Sequence, residues 1–351
     1  MGTSAMGVKV SDWVMGVLAL VGWLNGASGM AVPQEPEKPS TGFPNFKIPT
    51  LGGKQLWTDH AWRQGWRIQQ NALTGHWRLL DPQNVRFAWG TRMACEAALQ
   101  QQQPDNVLAA QQITILLHGL MRSASSMSAL GESIVAQTQQ PVLYFEYAST
   151  RATIAEHAAA LRDVIASLPP EVDFNCVGHS MGNIVVRHAI GDWQQAGDSQ
   201  SLSRLKHVVM LGPPNQGSSI ARQLAKTGVF GWVTGRGGLE LGREWERFAA
   251  HLATPLCPFG IVAGSLPESS LQNPLVDGRG DFVVSIEETK LPGAADFLEV
   301  PRLHSFLMDD ATVQQAVVHF LSHNTFSPRP SPARPAGESA GESAGETVET
   351  D

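Results

Sequence analysis

Residues 172–190, VDFNCVGHSMGNIVVRHAI, join a short apolar run to an amphipathic segment through a serine flanked by glycines. The apolar run Val172–Val177 predicts a buried strand, and the spacing of apolar residues over Met181–Trp193 predicts a helix. The residues that join them, Gly178-His-Ser-Met-Gly182, have the pattern G-x-S-x-G. This pattern predicts a tight strand-to-helix turn that holds the hydroxyl of Ser180 clear of the sheet.

Steric crowding explains why the turn has glycine at both flanking positions. A central residue in such a turn takes a strained backbone conformation, and side chains two positions before and after it would collide with their surroundings. Two more copies of the pattern, Gly337–Gly341 and Gly341–Gly345, lie in low-complexity sequence, where neither follows a strand nor opens a helix. Context therefore selects Ser180 as a candidate nucleophile, with an ordinary strand-to-helix turn as the alternative.

The body of the chain alternates short apolar runs with helix-length amphipathic segments. This alternation predicts a mostly parallel, doubly wound α/β sheet with helices on both faces, in which the chemistry lies at the carboxyl ends of the strands. Arg67–Ala72 and His76–Leu80 predict an additional N-terminal β-hairpin. The predicted strands are Ile113–Leu117, Val142–Tyr147, Val172–Val177, His207–Leu211, Phe259–Val262 and one near Phe297–Val300, and the predicted helices are Thr153–Leu168, Met181–Trp193 and Ala311–His323.

The two ends of the chain differ from this body in composition. The apolar stretch Trp13–Leu24, preceded by Lys9 and followed by small residues, predicts a signal peptide over residues 1–31. Export to the periplasm or beyond is therefore expected, with an uncleaved membrane anchor as the alternative. A Pro-rich linker is predicted at 32–56, the α/β domain at 57–324 and a disordered tail at 325–351.

Composition excludes several classes of function. The 351 residues are 42 % hydrophobic and 16 % charged, with a formal net charge of −7. The chain can therefore bury a large core, and it has no basic block with which to bind nucleic acid. Its three cysteines, Cys95, Cys176 and Cys257, are too scattered for a disulfide framework or a zinc site. The sequence is compatible with one disulfide and a leftover thiol, and equally with no disulfide.

A serine nucleophile needs an imidazole to accept its proton and a carboxylate to orient that imidazole, in the chain order serine, acid, histidine. His304 follows a predicted strand on a loop and precedes the last predicted helix, so it is the candidate base. Asp281, on the Gly-rich loop after Phe259–Val262, is the favoured acid. Asp277 is the second candidate and Glu287 a distant third. The other downstream histidines fall on helices, at a strand start or in a cap segment: His188, His207, His251, His319 and His323.

Two backbone N–H groups must face the oxyanion that develops during the attack. One is expected from Met181, the residue after the nucleophile, and the other from the loop that follows the first strand of the large sheet. In that loop Gly119 lets the chain turn toward the site, so Leu120 is the candidate donor, with Met121 next. Two histidines beside these groups are expected to orient the loops rather than to carry protons: His118 and His179.

Five motifs carry a resemblance to a known family. They are ITILLHGL at 113–120, GHSMG at 178–182, LGPPNQGS at 211–218, GDFVV at 280–284 and LHSFLM at 303–308. Together they resemble the bacterial lipase/esterase branch of the α/β-hydrolases over about residues 110–324. The run at 211–218 is also similar to one in inositol-deacylase-like members. The resemblance implies an α/β-hydrolase fold.

The resemblance implies the same site residues as the reasoning from the sequence alone. It makes Ser180 the nucleophile, Asp281 the acid and His304 the base, with Leu120 and Met181 as oxyanion donors. One position departs from the family pattern. The usual Asp-Gly-x-Val near the acid has phenylalanine at 282 in place of glycine, and a second Asp-Gly stands at 277–278.

The expected function is hydrolysis of carboxylic esters, of lipids or lipid-like acyl chains, through an acyl-enzyme. The mechanism needs no metal and no organic cofactor, and peripheral contact with a lipid surface is expected; the oligomeric state is not predicted. The close alternative is another acyl transfer on the same triad: thioester or amide hydrolysis, or transfer to an alcohol. The distant one is a non-catalytic α/β-hydrolase-like binding protein.

Two further segments have two interpretations each. Residues 228–245 combine glycines with tryptophans and form either a mobile lid over an acyl pocket or a surface excursion packed on the sheet. Five upstream tryptophans either pack in the core of the N-terminal hairpin or contribute to an apolar rim: Trp57, Trp62, Trp66, Trp77 and Trp89.

Overall fold

The computed structural model describes residues 48–50, 53–102, 110–225, 240–241, 245–267, 273, 275–276 and 278–327. The predicted signal peptide lies outside these residues, as do most of the predicted linker, tail and 228–245 segment. Asp277 also lies outside them. Among the described residues, eleven strands form two sheets.

The N-terminal sheet is antiparallel and has the order β1-β5-β4-β3-β2. The predicted hairpin is its centre, β3 and β4, and the sequence analysis missed the three strands that extend it. Helix α1 covers one face, where Ile68, Leu79 and Ala88 are buried against Cys95 and Leu99. The elements are β1 (Ile48–Pro49), β2 (Trp57–Arg63), β3 (Trp66–Asn71), β4 (Trp77–Leu80), β5 (Val85–Gly90) and α1 (Arg92–Gln101).

The larger sheet has six strands, and all of its described pairs are parallel. Its strands are β6 (Gln112–Leu117), β7 (Val142–Phe145), β8 (Asp173–His179), β9 (Leu205–Leu211), β10 (Phe259–Gly264) and β11 (Asp296–Val300). They lie in the order β11-β10-β9-β8-β6-β7. This arrangement confirms the predicted parallel sheet, and each predicted strand overlaps an observed one.

Helices lie on both faces of this sheet, as predicted. They are α2 (Ser128–Thr138), α3 (Ile154–Ala166), α4 (Met181–Ala196), α5 (Ser199–Arg204), α6 (Ser219–Ala225), α7 (Trp245–Ala249), α8 (Ile286–Thr289) and α9 (Ala311–His323), with 3-10 turns at Ala124–Met127 and His304–Asp309.

Strand β8 shows why the apolar runs of this sheet are continuous. Successive side chains of a strand point to opposite faces. Phe174 and Cys176 belong to the core under α3 and α4, whereas Val177 belongs to the core under α2 and α9. Because both faces are buried, apolar side chains are favoured on both, and the buried Asn175 of this strand has its amide hydrogen-bonded to Gln112 and Thr114. Fully burying one such side chain contributes about 1.5–3 kcal/mol.

The N-terminal sheet adjoins the larger sheet where β7 ends. The N–H of Asp59 in β2 donates to the carbonyl of Glu146 (2.9 Å), and the N–H of Glu146 donates to Asp59 Oδ2 (2.8 Å). Helix α3 also packs against β2. The two sheets therefore meet beside the carboxyl ends of the parallel strands.

The described chain ends at Ser327. Phe326 is buried, with its ring centroid 5.0 Å from that of Phe320 in α9, so packing continues two residues past the predicted boundary at 324. The described part of the chain contains no helix that is both long and apolar enough to cross a membrane.

Candidate active site

Ser180 stands between the last residue of β8 and the first residue of α4. Its φ is 53° and its ψ −121°, a conformation that non-glycine residues rarely take. A Cβ at Gly178 would lie 2.3 Å from Asn183 Oδ1, and one at Gly182 would lie 2.7 Å from the carbonyl oxygen of Leu117. Side chains at either position would therefore displace the turn, which is the steric reason expected for the two glycines.

The structure brings two other predicted site residues together. His304 Nδ1 lies 2.7 Å from Asp281 Oδ2, and Asp281 is fully buried. Its Oδ1 accepts the N–H groups of Val283 (3.1 Å) and Val284 (2.8 Å), which fixes the plane of the carboxylate. Because an ionised carboxylate only accepts, Nδ1 of the imidazole carries the proton and Nε2 is left free to accept another.

Phe282, which departs from the family pattern, takes the left-handed backbone conformation. Its φ is 82°, the region that glycine occupies without cost. The turn here brings the next two N–H groups back to Asp281 Oδ1, so phenylalanine holds a backbone conformation that glycine would adopt more easily. Holding it costs on the order of 1 kcal/mol.

Two close backbone approaches fix the positions of Asp281 and His304. A Cβ at Gly264, the last residue of β10, would lie 2.5 Å from Asp281 Cβ. A Cβ at Gly212, directly after β9, would lie 2.9 Å from His304 Nδ1. Only glycine at these positions allows the pair to sit so close to the strand ends.

Ser180 and His304 line the same cavity, which has a volume of about 360 Å³. Asp281 lies behind His304, and Met181 is buried at the start of α4. Most of the remaining lining is apolar or backbone: Gly119, Leu120, Met121, Pro214, Ile220, Ala221, Leu241, Val283 and Val284. Leu241 is a described end of the 228–245 segment.

The loop after β6 approaches the candidate nucleophile closely. A Cβ at Gly119 would lie 3.1 Å from Ser180 Cβ. Met121 N–H already donates to Ser149 Oγ (3.0 Å), whereas Leu120 N–H has no acceptor among the described residues. Of the two donors considered for this loop, Leu120 is therefore the one available. Met181 N–H belongs to the first turn of α4, where N–H groups lack intrahelical acceptors.

Buried polar side chains support this loop, and the sequence analysis missed them. Ser149, which is fully buried, also donates to Gln55 Oε1 (3.0 Å). Glu146 Oε2 accepts the N–H of Ala124 (3.1 Å). His118 Nδ1 donates to the carbonyl of Gly119 (2.9 Å), so His118 holds the loop as expected. Glu146 and Ser149 lie shortly after the end of β7 at Phe145, which was the one signal for them in the sequence.

His179 connects the turn at Ser180 to His304. Its Nε2 donates to the carbonyl of His304 (3.0 Å). Burial, with smaller contributions from the nearby charges of His304 and Arg122, holds the pKa of His179 well below its ordinary value. The ring therefore stays neutral and orients the turn. Glu287, the third candidate acid, instead forms a surface ion pair with Lys290 (2.6 Å).

His157 in α3 makes the folding stability of the protein depend on pH. It is buried against the ring of Tyr147, and burial, followed by repulsion from His118 and His60, lowers its pKa from 6.5 to about 3. The unfolded chain then binds more protons than the folded one, so stability present above pH 6.5 is lost progressively between pH 6.5 and 3. For this one group the loss is about 2 kcal/mol at pH 5.

Between pH 8 and pH 5, the free energy of unfolding of His157→Phe should fall by about 2 kcal/mol less than that of the wild type. Urea unfolding at both pH values measures the difference. The comparison at pH 8, where the imidazole is neutral in both states, isolates any packing change. Parallel pH curves for the two proteins would contradict the assignment.

Three features together identify the fold: the parallel order of the six strands, the strained Ser180 between β8 and α4, and the paired Asp281 and His304 after β10 and β11. This is the α/β-hydrolase fold. It agrees with the resemblance seen in the sequence. Within the described ranges, no group of three His, Cys, Asp or Glu side chains is placed to hold a metal ion, and all three cysteines are free.

No protein-family model matches the chain, and no curated protein matches it in sequence. Several solved structures are similar to it. The mature form of the Bacillus licheniformis lipase BlEst2 has 15 % identity over 64 % of this chain and 96 % of its own, with a TM-score of 0.47. The metagenomic carboxyl esterase MGS0156 has 17 % identity over 63 % of this chain and 73 % of its own, with a TM-score of 0.44. The phospholipase PlaB from Legionella pneumophila has 18 % identity over 62 % of this chain and 60 % of its own, with a TM-score of 0.48. The α/β-hydrolase fold of this chain is identified from its strand order and from the turn at Ser180, not from these similarities.

Proposed function

We propose that this chain is a serine hydrolase that cleaves carboxylic esters. The observation that carries the proposal is the buried Asp281–His304 pair, at 2.7 Å, on the cavity that Ser180 also lines. Acyl transfer requires a serine held in a strained turn, a histidine whose Nδ1–H is bonded to a carboxylate, and a cavity open to both.

In the proposed mechanism Ser180 Oγ attacks the ester carbonyl carbon while its proton passes to His304 Nε2. Asp281 Oδ2 stabilises the resulting imidazolium through Nδ1–H. The N–H groups of Leu120 and Met181 hold the oxyanion. As the intermediate collapses, His304 protonates the leaving alcohol and the acyl group stays on the serine. Water then attacks the acyl-enzyme, giving its proton to His304, and the carboxylic acid is released with Ser180 restored.

The cavity favours an apolar acyl group of moderate size, because its side-chain lining is mostly aliphatic. Three large apolar side chains beside it are exposed, Met121 (43 %), Leu303 (39 %) and Phe306 (55 %). Exposed apolar groups around a site fit contact with a lipid surface. Ester lipids are therefore the proposed substrate class, and export by a cleaved signal peptide is part of the proposal.

The test is hydrolysis of p-nitrophenyl esters from C2 to C16, together with labelling by a fluorophosphonate and mass mapping of the adduct. We expect turnover with an optimum at a defined chain length and a single adduct on the peptide that contains Ser180. Turnover of thioesters or amides in place of esters would favour the other acyl-transfer reactions. An unlabelled Ser180 with no turnover of any acyl substrate would favour a binding protein.

The loop that carries Leu120 depends on Ser149. Ser149→Ala removes the acceptor of Met121 N–H and the donor to Gln55, so the oxyanion donor loses its fixed position. We expect kcat for an ester to fall about 10-fold with KM little changed, the size of one lost hydrogen bond. Ser203→Ala is the matched control, because Ser203 is exposed and its hydroxyl donates to the carbonyl of Gln200 within α5, far from this loop in sequence. An equal effect of the two substitutions would contradict the positioning role.

A further inference from the structure

The N-terminal sheet has a second face, opposite α1, with an unusual side-chain composition. Asp59, Gln69, Arg78 and Trp89 are cross-strand partners in one row across β2, β3, β4 and β5. Leu79, next to Arg78, points to the α1 side, so this row points away from that core. The row contains charged and amide groups although three of its members are buried.

A cavity of about 260 Å³ opens on this face. We call it the arginine–tryptophan cavity. Its lining combines two tryptophans, two arginines, a histidine and two threonines and contains no carboxylate: Thr50, Trp57, Thr74, His76, Arg78, Arg86 and Trp89.

Arg78 forms the floor of the arginine–tryptophan cavity and is only 6 % exposed. Its Nε and Nη2 both donate to Gln69 Oε1, at 3.0 Å and 2.7 Å. Gln69 Nε2 in turn donates to Asp59 Oδ1 (2.7 Å). The guanidinium is thus fixed along one edge by a neutral amide, and Nη1 has no acceptor among the described residues.

The positive charge on this face exceeds the negative charge. Asp59 is the one carboxylate in the row, and its Oδ1 already lies 3.6 Å from Arg67 Nη1. The Arg86 guanidinium has no hydrogen bond or ion pair within the described part of the chain. Burial, followed by the neighbouring charge of Arg67, lowers the pKa of Arg78 to about 10, while the charge of Asp59 acts in the opposite direction. An anion in the cavity would supply the missing charge.

The tryptophans add a surface for a ring. The Arg78 guanidinium already lies 3.9 Å over Trp57, which occupies one face of that indole. Trp89 is 38 % exposed, and Arg86 lies 5.6 Å from its centroid. An exposed indole beside a free guanidinium can stack on a flat or cyclic ligand while its acidic group is bound.

We propose that the arginine–tryptophan cavity is a binding site for a small cyclic anion, a sugar that carries a phosphate or carboxylate group. Arg78 Nη1 and Arg86 bind the acidic group, Trp89 stacks on the ring, and Thr50 and Thr74 line the cavity beside it. The volume holds one ring with its substituent. The site is separate from the Ser180 cavity and does not depend on the proposed ester hydrolysis.

The test is thermal unfolding of the full chain with glucose 6-phosphate, glucuronate, inorganic phosphate or glucose, with sodium chloride added to equal ionic strength. We expect a saturable rise of about 4 °C with the sugar phosphate or the sugar acid and none with glucose. Which of the two acids binds more tightly identifies the acidic group. A rise as large with inorganic phosphate as with glucose 6-phosphate would overturn the role of the ring. No saturable rise with any anion would overturn the site.

Substitutions assign the binding to these side chains. Arg86→Gln and Trp89→Phe, both at the cavity mouth, should each weaken the affinity at least 10-fold, with the unliganded melting temperature nearly unchanged. Arg63→Gln is the control, because Arg63 is exposed at the end of β2 and does not line the cavity. Unchanged affinity in Arg86→Gln, or equal weakening in Arg63→Gln, would overturn the proposal.

Discussion

Replacing Ser180 by alanine should lower kcat/KM for p-nitrophenyl esters by about 10⁴- to 10⁶-fold, the range found when a nucleophile acting in a triad is removed. The loss is large because no other described hydroxyl occupies the strained turn beside His304. The fold should persist, since the substitution removes one oxygen and leaves the two glycines that permit the turn. Circular dichroism and the melting temperature check that expectation.

The sequence offers a matched control for this substitution. Ser339 is the centre of the tail copy Gly337–Gly341, which has the same five-residue pattern in low-complexity sequence where neither a strand nor a helix is predicted. Ser339→Ala should keep full activity. Equal activity of Ser180→Ala and the wild type would remove the proposed nucleophile and the ester-hydrolase proposal with it.

Replacing Asp281 by asparagine should lower kcat about 10⁴-fold with little change in KM. Asp281 Oδ1 accepts two backbone N–H groups, so the amide oxygen takes that position and the amide nitrogen faces His304 Nδ1. That nitrogen can only donate, which forces Nδ1 to accept and moves the ring proton to Nε2. His304 then cannot take the proton of Ser180.

The same measurement distinguishes between the two candidate acids. Asp277→Asn changes the same functional group four residues away and should retain most of the activity. A loss of three or more orders of magnitude in Asp277→Asn, with an active Asp281→Asn, would transfer the role of the acid to Asp277. Low activity in both would show that the loop, and not one carboxylate, controls the histidine.

The strand–turn–helix around Ser180 could be predicted because its signals are local. A buried apolar run, two glycines and a helical period lie within nineteen residues. The positions of Asp281 and His304 could also be predicted, because parallel strands all end at one edge of the sheet. In each case short-range pattern and sheet topology suffice.

The support of the Leu120 loop could not be predicted in the same way. Gln55, Asp59, Glu146 and Ser149 meet only after the two sheets pack together, and a single polar residue in sequence gives no sign of its distant partner. The N-terminal strands β2 and β5 were also missed. Their outward face carries arginine, tryptophan and aspartate in place of the simple apolar–polar alternation that predicts a strand.

The junction between the two sheets also has a consequence for how the chain folds. The Asp59–Glu146 and Gln55–Ser149 hydrogen bonds join residues 87 and 94 positions apart, whereas β2, β3, β4 and β5 pair with neighbours in sequence. Contacts of low contact order form fast, and long loops close late. During refolding, the N-terminal sheet should therefore gain amide-exchange protection early, and Met121 N–H only when the long loop has closed. The loop that carries Leu120 and Met121 would be among the last parts of the molecule to reach its native shape.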